Sequence, residues 1–131
     1  MIKYKDLLNK INEEYVKRGA KRVSRTDLKK VLQKAQVIIN KAKENETLNK
    51  VIGDVTTLIA LVNDYVKGNY RDVPWYSLSA IAFTLLYIFN PLDLIPDFIP
   101  GFGMVDDAAV LGLCLKMVHK DIEKYREWKN T

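Results

Sequence analysis

Four aspartates stand in an otherwise apolar, proline-rich stretch, and they are the residues best suited to chemistry. They are Asp93, Asp97, Asp106 and Asp107. A carboxylate in apolar surroundings is costly unless it caps a helix, meets a cation or binds a metal ion. Asp93 and Asp97 are four residues apart and would share one face of a helical turn. Asp106 and Asp107, which are adjacent in the sequence, would approach that face from the start of the next helix. Together they predict an oxygen-rich site suited to Mg²⁺, Mn²⁺ or Ca²⁺.

The same four side chains also have a purely structural interpretation. Asp93 would cap a short turn, Asp97 would hold the proline-bounded loop through backbone amides, and the pair would lie at the N-terminus of the last helix. No metal or other cofactor is then needed. The metal interpretation would instead give a hydrolase-like enzyme, in which the Asp cluster holds the ion.

A second group of residues carries concentrated positive charge. Residues 17–34 hold eight basic side chains and a single acid, Asp27. The eight are Lys17, Arg18, Lys21, Arg22, Arg25, Lys29, Lys30 and Lys34. Such a patch would attract anionic headgroups or nucleic-acid phosphate, and the alternative is a solvated charged face. Because no aromatic residue lies between residues 16 and 64 to stack on bases, an anionic membrane surface or a protein partner is expected rather than nucleic acid.

Other catalytic chemistry finds little support. His119 and Cys114 are the single histidine and the single cysteine of the chain, which excludes a zinc site built on two histidines within one subunit. Cys114 lies among apolar neighbours and is expected to be a small buried thiol, while His119 is expected on a polar face. No glycine-rich phosphate loop or serine nucleophile elbow is present. No catalytic residue can therefore be identified from the sequence, and the protein is expected not to be an enzyme.

The basic segment must be positioned by amphipathic helices. Apolar residues recur every three or four positions in residues 1–70, which predicts three such helices. The first ends near Gly19. The second has Ser24 or Thr26 as its N-cap and Asp27 in its first turn, and its stripe continues without interruption to Ala42.

The third amphipathic helix has its own start and stop signals. Asn45 or Thr47 would cap it, and the pair Gly68-Asn69 would end it. Its apolar residues form a stripe from Leu48 to Val66, with a polar opposite face. Three helices of this kind need a shared apolar partner.

That partner is predicted to be the helix of residues 75–89, which carries no charged side chain. Pro74 favours its start, and the pair Asn90-Pro91 favours its end. A helix that is apolar on all faces is buried, either by protein or by lipid. Crossing a bilayer takes about 20 apolar residues, more than this helix supplies by itself.

A last helix follows the acidic stretch and carries a heptad-like apolar seam. The seam consists of Met104, Ala108, Leu111, Leu115, Val118, Ile122 and Tyr125. It predicts one long helix that packs along its length or forms a homo-oligomer seam. Three aromatics, Trp75, Tyr76 and Trp128, would form an interfacial belt at a membrane, and ordinary packing is the alternative.

A distinctive motif of prolines and aspartates lies within residues 77–115. It reads Leu86-Tyr87-Ile88-Phe89-Asn90-Pro91-Leu92-Asp93-Leu94-Ile95-Pro96-Asp97-Phe98-Ile99-Pro100, followed by Gly103 and Asp106-Asp107. On this motif the stretch resembles the YkvA-like domain, a family of unknown function. The family implies a small helical hairpin in proteins suspected of membrane association, with no established enzymatic activity.

These observations predict an all-α, single-domain protein over residues 1–131, a compact bundle of about five helices. Residues 1–70 would form the three amphipathic helices, and residues 73–128 an apolar C-terminal helical hairpin joined by the Pro/Asp-rich loop. The expected function is a non-catalytic module at the cytoplasmic face of a membrane, or one that binds a protein partner. The metal-dependent enzyme and a soluble bundle with a structural Asp loop are the alternatives.

Overall fold

The computed structural model describes residues 13–14, 16–90 and 107–131, and every regular element within these ranges is a helix. The elements are α1 (helical at residues 13–14 and 16–21), α2 (Arg25–Gln33), α3 (Ala35–Glu44), a 3₁₀ helix (Leu48–Val51), α4 (Ile52–Val66), α5 (Trp75–Phe89), α6 (Asp107–Met117) and α7 (His119–Lys129). The predicted all-α class is therefore confirmed. The predicted Pro/Asp-rich loop falls on residues 91–106, which lie outside the described ranges.

The predicted caps explain where the first helices begin. Ser24 precedes α2, and its backbone N–H donates to Asp27 Oδ2 at 2.8 Å. Asn45 precedes the 3₁₀ helix, and its Oδ1 accepts from the backbone N–H groups of Thr47 at 2.9 Å and Leu48 at 3.0 Å. Each side chain satisfies an amide that the first helical turn leaves without a partner. Of the predicted pairs, Ser24 is the N-cap of α2; Thr47 holds the N-cap position of the 3₁₀ helix, while Asn45 supplies the side-chain acceptor there.

The end of α4 is a Schellman motif centred on Gly68. Its φ of 81° lies in the left-handed region, which glycine adopts without steric cost. The amide of Gly68 donates to Tyr65 O at 3.0 Å, and the amide of Asn69 donates to Asp64 O at 2.9 Å. This confirms the predicted stop at Gly68-Asn69 and turns the chain toward α5.

Three helices predicted to be continuous are divided, the third of them at Val51 (φ −121°, ψ 28°), where the 3₁₀ helix gives way to α4. The other two are bent. The second predicted helix divides at Lys34 (φ −103°, ψ 8°) into α2 and α3, and the last divides at Val118 (φ −111°, ψ 16°) into α6 and α7. Four-residue backbone hydrogen bonds continue through both points, such as Lys34 N to Lys30 O at 3.0 Å and Val118 N to Cys114 O at 2.9 Å. Both halves of each helix bury apolar residues, so the bends let each half follow the core. The prediction of one continuous helix in each of these places was therefore wrong.

Helix α1 ends at Lys21, two residues beyond Gly19, so its end lies near the predicted place and the glycine itself is inside the helix. An added Cβ at Gly19 would lie 2.0 Å from Phe83 Cε2. The glycine is therefore needed for close approach between α1 and the ring of Phe83 on α5. A helix interior tolerates glycine at a cost of about 1 kcal/mol relative to alanine, and the close packing here offsets that cost.

The apolar helix α5 is the centre of the core. Every residue from Ser77 to Ile88 is buried, and α2, α3, α4 and α6 all pack against it. Its polar side chains are satisfied: Thr84 Oγ1 donates to Ala80 O at 2.9 Å, and Ser77 Oγ donates to Asp121 on α7. Of the two possibilities that the sequence left open, protein and not lipid therefore covers the helix from Ser77 to Ile88, while Trp75 and Tyr76 at its start are exposed. None of the helices in the described ranges combines the length and the apolarity that a bilayer crossing needs.

Candidate functional site

The predicted metal ligands fall almost entirely outside the described residues. Asp93, Asp97 and Asp106 lie in the stretch between α5 and α6, and Asp107 is the first residue of α6, with a side chain that is also outside the description. Across the described ranges, no three side chains of the His, Cys, Asp or Glu type gather to form a metal site. The metal site on the four aspartates therefore stays a prediction.

The structure divides the predicted basic patch between the two ends of α5. Arg25, the first residue of α2, places its guanidinium carbon 5.9 Å from the ring centroid of Trp75. Lys34, just after α2, places its ammonium 5.5 Å from the ring of Phe89. Trp75 and Phe89 are the first and last residues of α5, so about 21 Å of helix separates the two groups.

The group at the start of α5 forms a basic-aromatic surface, which we define by six residues. They are Lys17, Arg18 and Lys21 of α1, Arg25 of α2, and Trp75 and Tyr76 of α5. The two aromatics are 40% and 50% exposed, so they present apolar area to solvent beside the cations. A depression of about 600 Å³ lies here between α1 and α5, and Glu14 is on its lining together with the α1 cations and both aromatics.

The cations of this surface differ electrostatically from those of α7. In the described part of the chain, no carboxylate lies within ion-pair distance of the four surface cations. Three of the four basic residues of α7 are ion-paired: Lys124 with Asp72 at 2.7 Å, Arg126 with Asp54 at 2.8 Å and Lys129 with Asp64 at 3.0 Å. Most of the positive charge on α7 is therefore matched internally, whereas the four cations of the basic-aromatic surface have no such carboxylate partner among the described residues.

At the other end of α5, cations serve the helix terminus. Lys41 of α3 donates its ammonium to the backbone carbonyl of Phe89 and lies 5.5 Å from the centroid of the same ring. A cation at a helix C-terminus satisfies a free carbonyl and interacts favourably with the helix dipole. Sequence reasoning missed Lys41 because it lies outside the basic run, and Lys34 shares its packing role.

The other three residues of the predicted basic patch lie neither on the basic-aromatic surface nor at the C-terminal end of α5. Arg22 and Lys29 are exposed, and Lys30 is half-buried. Arg22 and Lys30 interact with other residues of the chain. Lys29 points to solvent on α2, which is the solvated face that the sequence offered as an alternative.

The aromatic partners of the surface were only partly foreseen. The predicted belt joined Trp75 and Tyr76 to Trp128, but Trp128 packs against Tyr70 and Tyr125, at centroid distances of 4.9 and 5.8 Å. It therefore belongs to a separate aromatic cluster between α7 and the segment after α4. The absence of aromatic residues from residues 16–64 did not predict the composition of this surface, because Trp75, which is distant in the sequence, packs beside Arg25 in the fold.

Cys114 and His119 lie apart from this surface. Cys114 is fully buried, its Sγ is 3.7 Å from Ala80 O, and burial raises the pKa of its thiol to about 12. Such a thiol is not a nucleophile at neutral pH. His119 is exposed, with Nε2 3.1 Å from Glu123 Oε1 on the same helix. The sequence-based expectations for both residues are confirmed.

Comparison with known proteins adds a family but no reaction. A family described as a protein of unknown function (DUF1232) matches residues 77–113, which run from the third residue of α5 into α6. The "Uncharacterized membrane protein YkvA" of Bacillus subtilis (strain 168) is 39% identical over 80 residues, which are 61% of this chain and 76% of that protein. No solved structure matches the chain significantly.

Proposed function

Because this chain belongs to the YkvA-like family of proteins of unknown function, we propose that it is a non-catalytic helical module that binds anionic membrane surfaces peripherally. The observation that carries the proposal is the basic-aromatic surface, where three exposed cations and the half-buried Lys17 lie beside two exposed aromatics. The relative's name as a membrane protein supports the same conclusion.

The residue types of this surface match the chemistry of a headgroup layer. Basic residues near an anionic leaflet contribute about 1 kcal/mol each, so four of them supply about 4 kcal/mol at low salt. Tryptophan and tyrosine favour the headgroup level because their rings are apolar and their N–H and O–H groups are polar. Charge brings the protein to the bilayer, and Trp75 and Tyr76 anchor it.

The burial of α5 decides how the contact is made. Since Ser77 to Ile88 are covered by protein, the exposed aromatics of the helix are at its N-terminal end, namely Trp75 and Tyr76. Binding therefore takes place with the start of α5 and the adjoining parts of α1 and α2 against the headgroups. The cytoplasmic leaflet fits best, since it carries the anionic lipids that such a surface needs.

Vesicle binding with a charge-matched pair of variants tests this function. In the first variant, Lys17, Lys21 and Arg25 are each replaced by glutamine. In the second, the exposed Lys43, Lys50 and Lys120, which lie on other parts of the fold, are replaced in the same way. Both lose three positive charges, so the comparison separates the basic-aromatic surface from net charge.

We expect wild type and the second variant to co-sediment with phosphatidylglycerol-containing vesicles and to ignore pure phosphatidylcholine vesicles. The first variant should lose about a hundredfold in partition coefficient, as three charges at about 1 kcal/mol each imply. Equal losses in the two variants would disprove the assigned surface. Wild type that ignores anionic vesicles at low salt would disprove membrane binding itself, and displacement by single-stranded DNA would point to nucleic acid instead.

A further inference from the structure

The depression at the basic-aromatic surface is not uniformly basic. Lys17, Arg18 and Lys21 line it together with one carboxylate, Glu14, and the partly exposed Trp75 and Tyr76. A surface that attracts a bilayer by charge alone has no use for a carboxylate among its cations. The mixed lining is instead typical of a site for one molecule, and its volume of about 600 Å³ falls within the usual range for such sites.

Building on the membrane function proposed above, we propose that this depression binds one phospholipid headgroup, a phosphodiester whose outer arm is neutral and carries hydroxyl groups. The phosphate meets the α1 cations, and an outer hydroxyl donates to the carboxylate of Glu14. The two aromatics contact the boundary between headgroup and acyl chains.

The phosphate assignment follows from the cations. Arginine and lysine are the side chains that proteins use for phosphate, through paired N–H donors and a mobile ammonium respectively. Lys17, Arg18 and Lys21 of α1 line the depression, and the Arg25 guanidinium lies 5.9 Å from the ring centroid of Trp75. One phosphodiester charge leaves a positive surplus, so the site keeps its attraction for the rest of the leaflet.

The hydroxyl assignment follows from Glu14. A carboxylate is an acceptor only, so it selects ligands that bring a donor. An ammonium donor would add positive charge beside Lys17, Arg18 and Lys21, where the balance is already positive. A phosphomonoester would bring a second negative charge toward Glu14. A neutral hydroxyl meets neither repulsion.

Vesicles that differ only in their anionic lipid test the selectivity. Phosphatidylglycerol has a neutral diol arm, phosphatidylserine an ammonium and a carboxylate, and phosphatidic acid a monoester, and the three are compared at equal surface potential. We expect about fivefold tighter binding to phosphatidylglycerol, the factor that one ordinary hydrogen bond supplies. Glu14→Gln should remove this preference while still binding phosphatidylserine vesicles, whereas Glu46→Gln, an exposed control outside the depression, should keep it.

The same assay distinguishes a lipid from a soluble ester of the same chemistry. Glycerophosphoglycerol added in excess should not release the protein, because the aromatic contacts need the acyl boundary. Release would assign the depression to a soluble phosphodiester and overturn the lipid assignment. Equal binding to all three lipids, or a preference that survives in Glu14→Gln, would overturn headgroup selection and leave the general anionic binding in place.

Discussion

Tyr125 of α7 donates a hydrogen bond from its phenolic O–H to Asp64 Oδ2 of α4, with an oxygen–oxygen distance of 2.6 Å. The carboxylate is 6% exposed and also accepts from Lys129 Nζ at 3.0 Å and from Asn69 Nδ2 at 3.5 Å. Burial by itself raises the pKa of Asp64, but these donors and the charge of Lys129 together bring the pKa below its ordinary value. Burial and the bond to Asp64 raise the pKa of Tyr125.

Tyr125→Phe should destabilise the fold, because it removes one donor from a buried carboxylate and leaves the ring packing in place. Hydrogen bonds to charged groups contribute about 1.5–3 kcal/mol, and we expect a loss within that range from the free energy of unfolding. Urea denaturation measures it. Tyr76→Phe, at an exposed position, is the control and should change stability little; equal effects of the two substitutions would contradict a specific role for the Asp64 bond.

The lowered pKa of Asp64 also makes a prediction about pH. A carboxyl whose pKa is lower in the folded than in the unfolded protein stabilises the fold fully above the unfolded value, which is about 3.9 for aspartate. That stabilisation is lost as pH falls through the folded pKa. The difference in unfolding free energy between wild type and Asp64→Asn should therefore be largest at neutral pH and shrink below about pH 5.

Denaturation series of both proteins across the acid range, under the same salt conditions, give this difference directly. A difference that stays constant with pH, or grows toward acid, would show that Asp64 is not stabilised as a carboxylate.

Gly19→Ala should be destabilising despite the higher helix propensity of alanine. The new Cβ would lie 2.0 Å from Phe83 Cε2, and the Phe83 ring is buried, so α1 or the ring must shift. Overpacking of this kind costs about 1–3 kcal/mol. Thermal unfolding measures the loss, and Phe83→Leu in the same chain should restore part of it, since it removes the clashing atoms.

Gly112→Ala is the matched control for Gly19. It lies inside α6, and an added Cβ there meets nothing within 4 Å. Only the difference in helix propensity between glycine and alanine remains, so the substitution should stabilise the protein by up to about 1 kcal/mol. Destabilisation at both glycines would contradict the steric explanation for Gly19.

Features that depend on neighbouring residues were predicted from the sequence, whereas features that depend on contacts between distant residues were not. The bounds of α5 are those predicted, because Pro74 and the pair Asn90-Pro91 act on neighbouring residues. The Ser24 cap and the Gly68 stop are local for the same reason. The bends at Lys34 and Val118 had no local signal, since no proline or glycine marks either position and the apolar stripe runs through both.

The candidate site shows the same limit. Its cations were predicted because charge is visible in the sequence, but their aromatic partner was not, since Arg25 and Trp75 are fifty residues apart. The ion pairs of Lys124, Arg126 and Lys129 on α7 likewise join residues far apart, such as Asp54 and Arg126. Only the packed fold shows which of the basic residues remain free for a partner outside the chain.

The fluorescence of Trp75 offers a direct test of how the protein approaches a bilayer. The chain has two tryptophans, so Trp128→Phe leaves Trp75 as the sole indole, 40% exposed in the free protein. Anionic vesicles should shift its emission to the blue and protect it from acrylamide, because the indole moves from water to the headgroup layer. Trp75→Phe leaves Trp128, which packs on Tyr70 and Tyr125, and should show neither effect. The opposite pattern, with a response from Trp128 alone, would place the membrane contact on α7 and contradict the assigned surface.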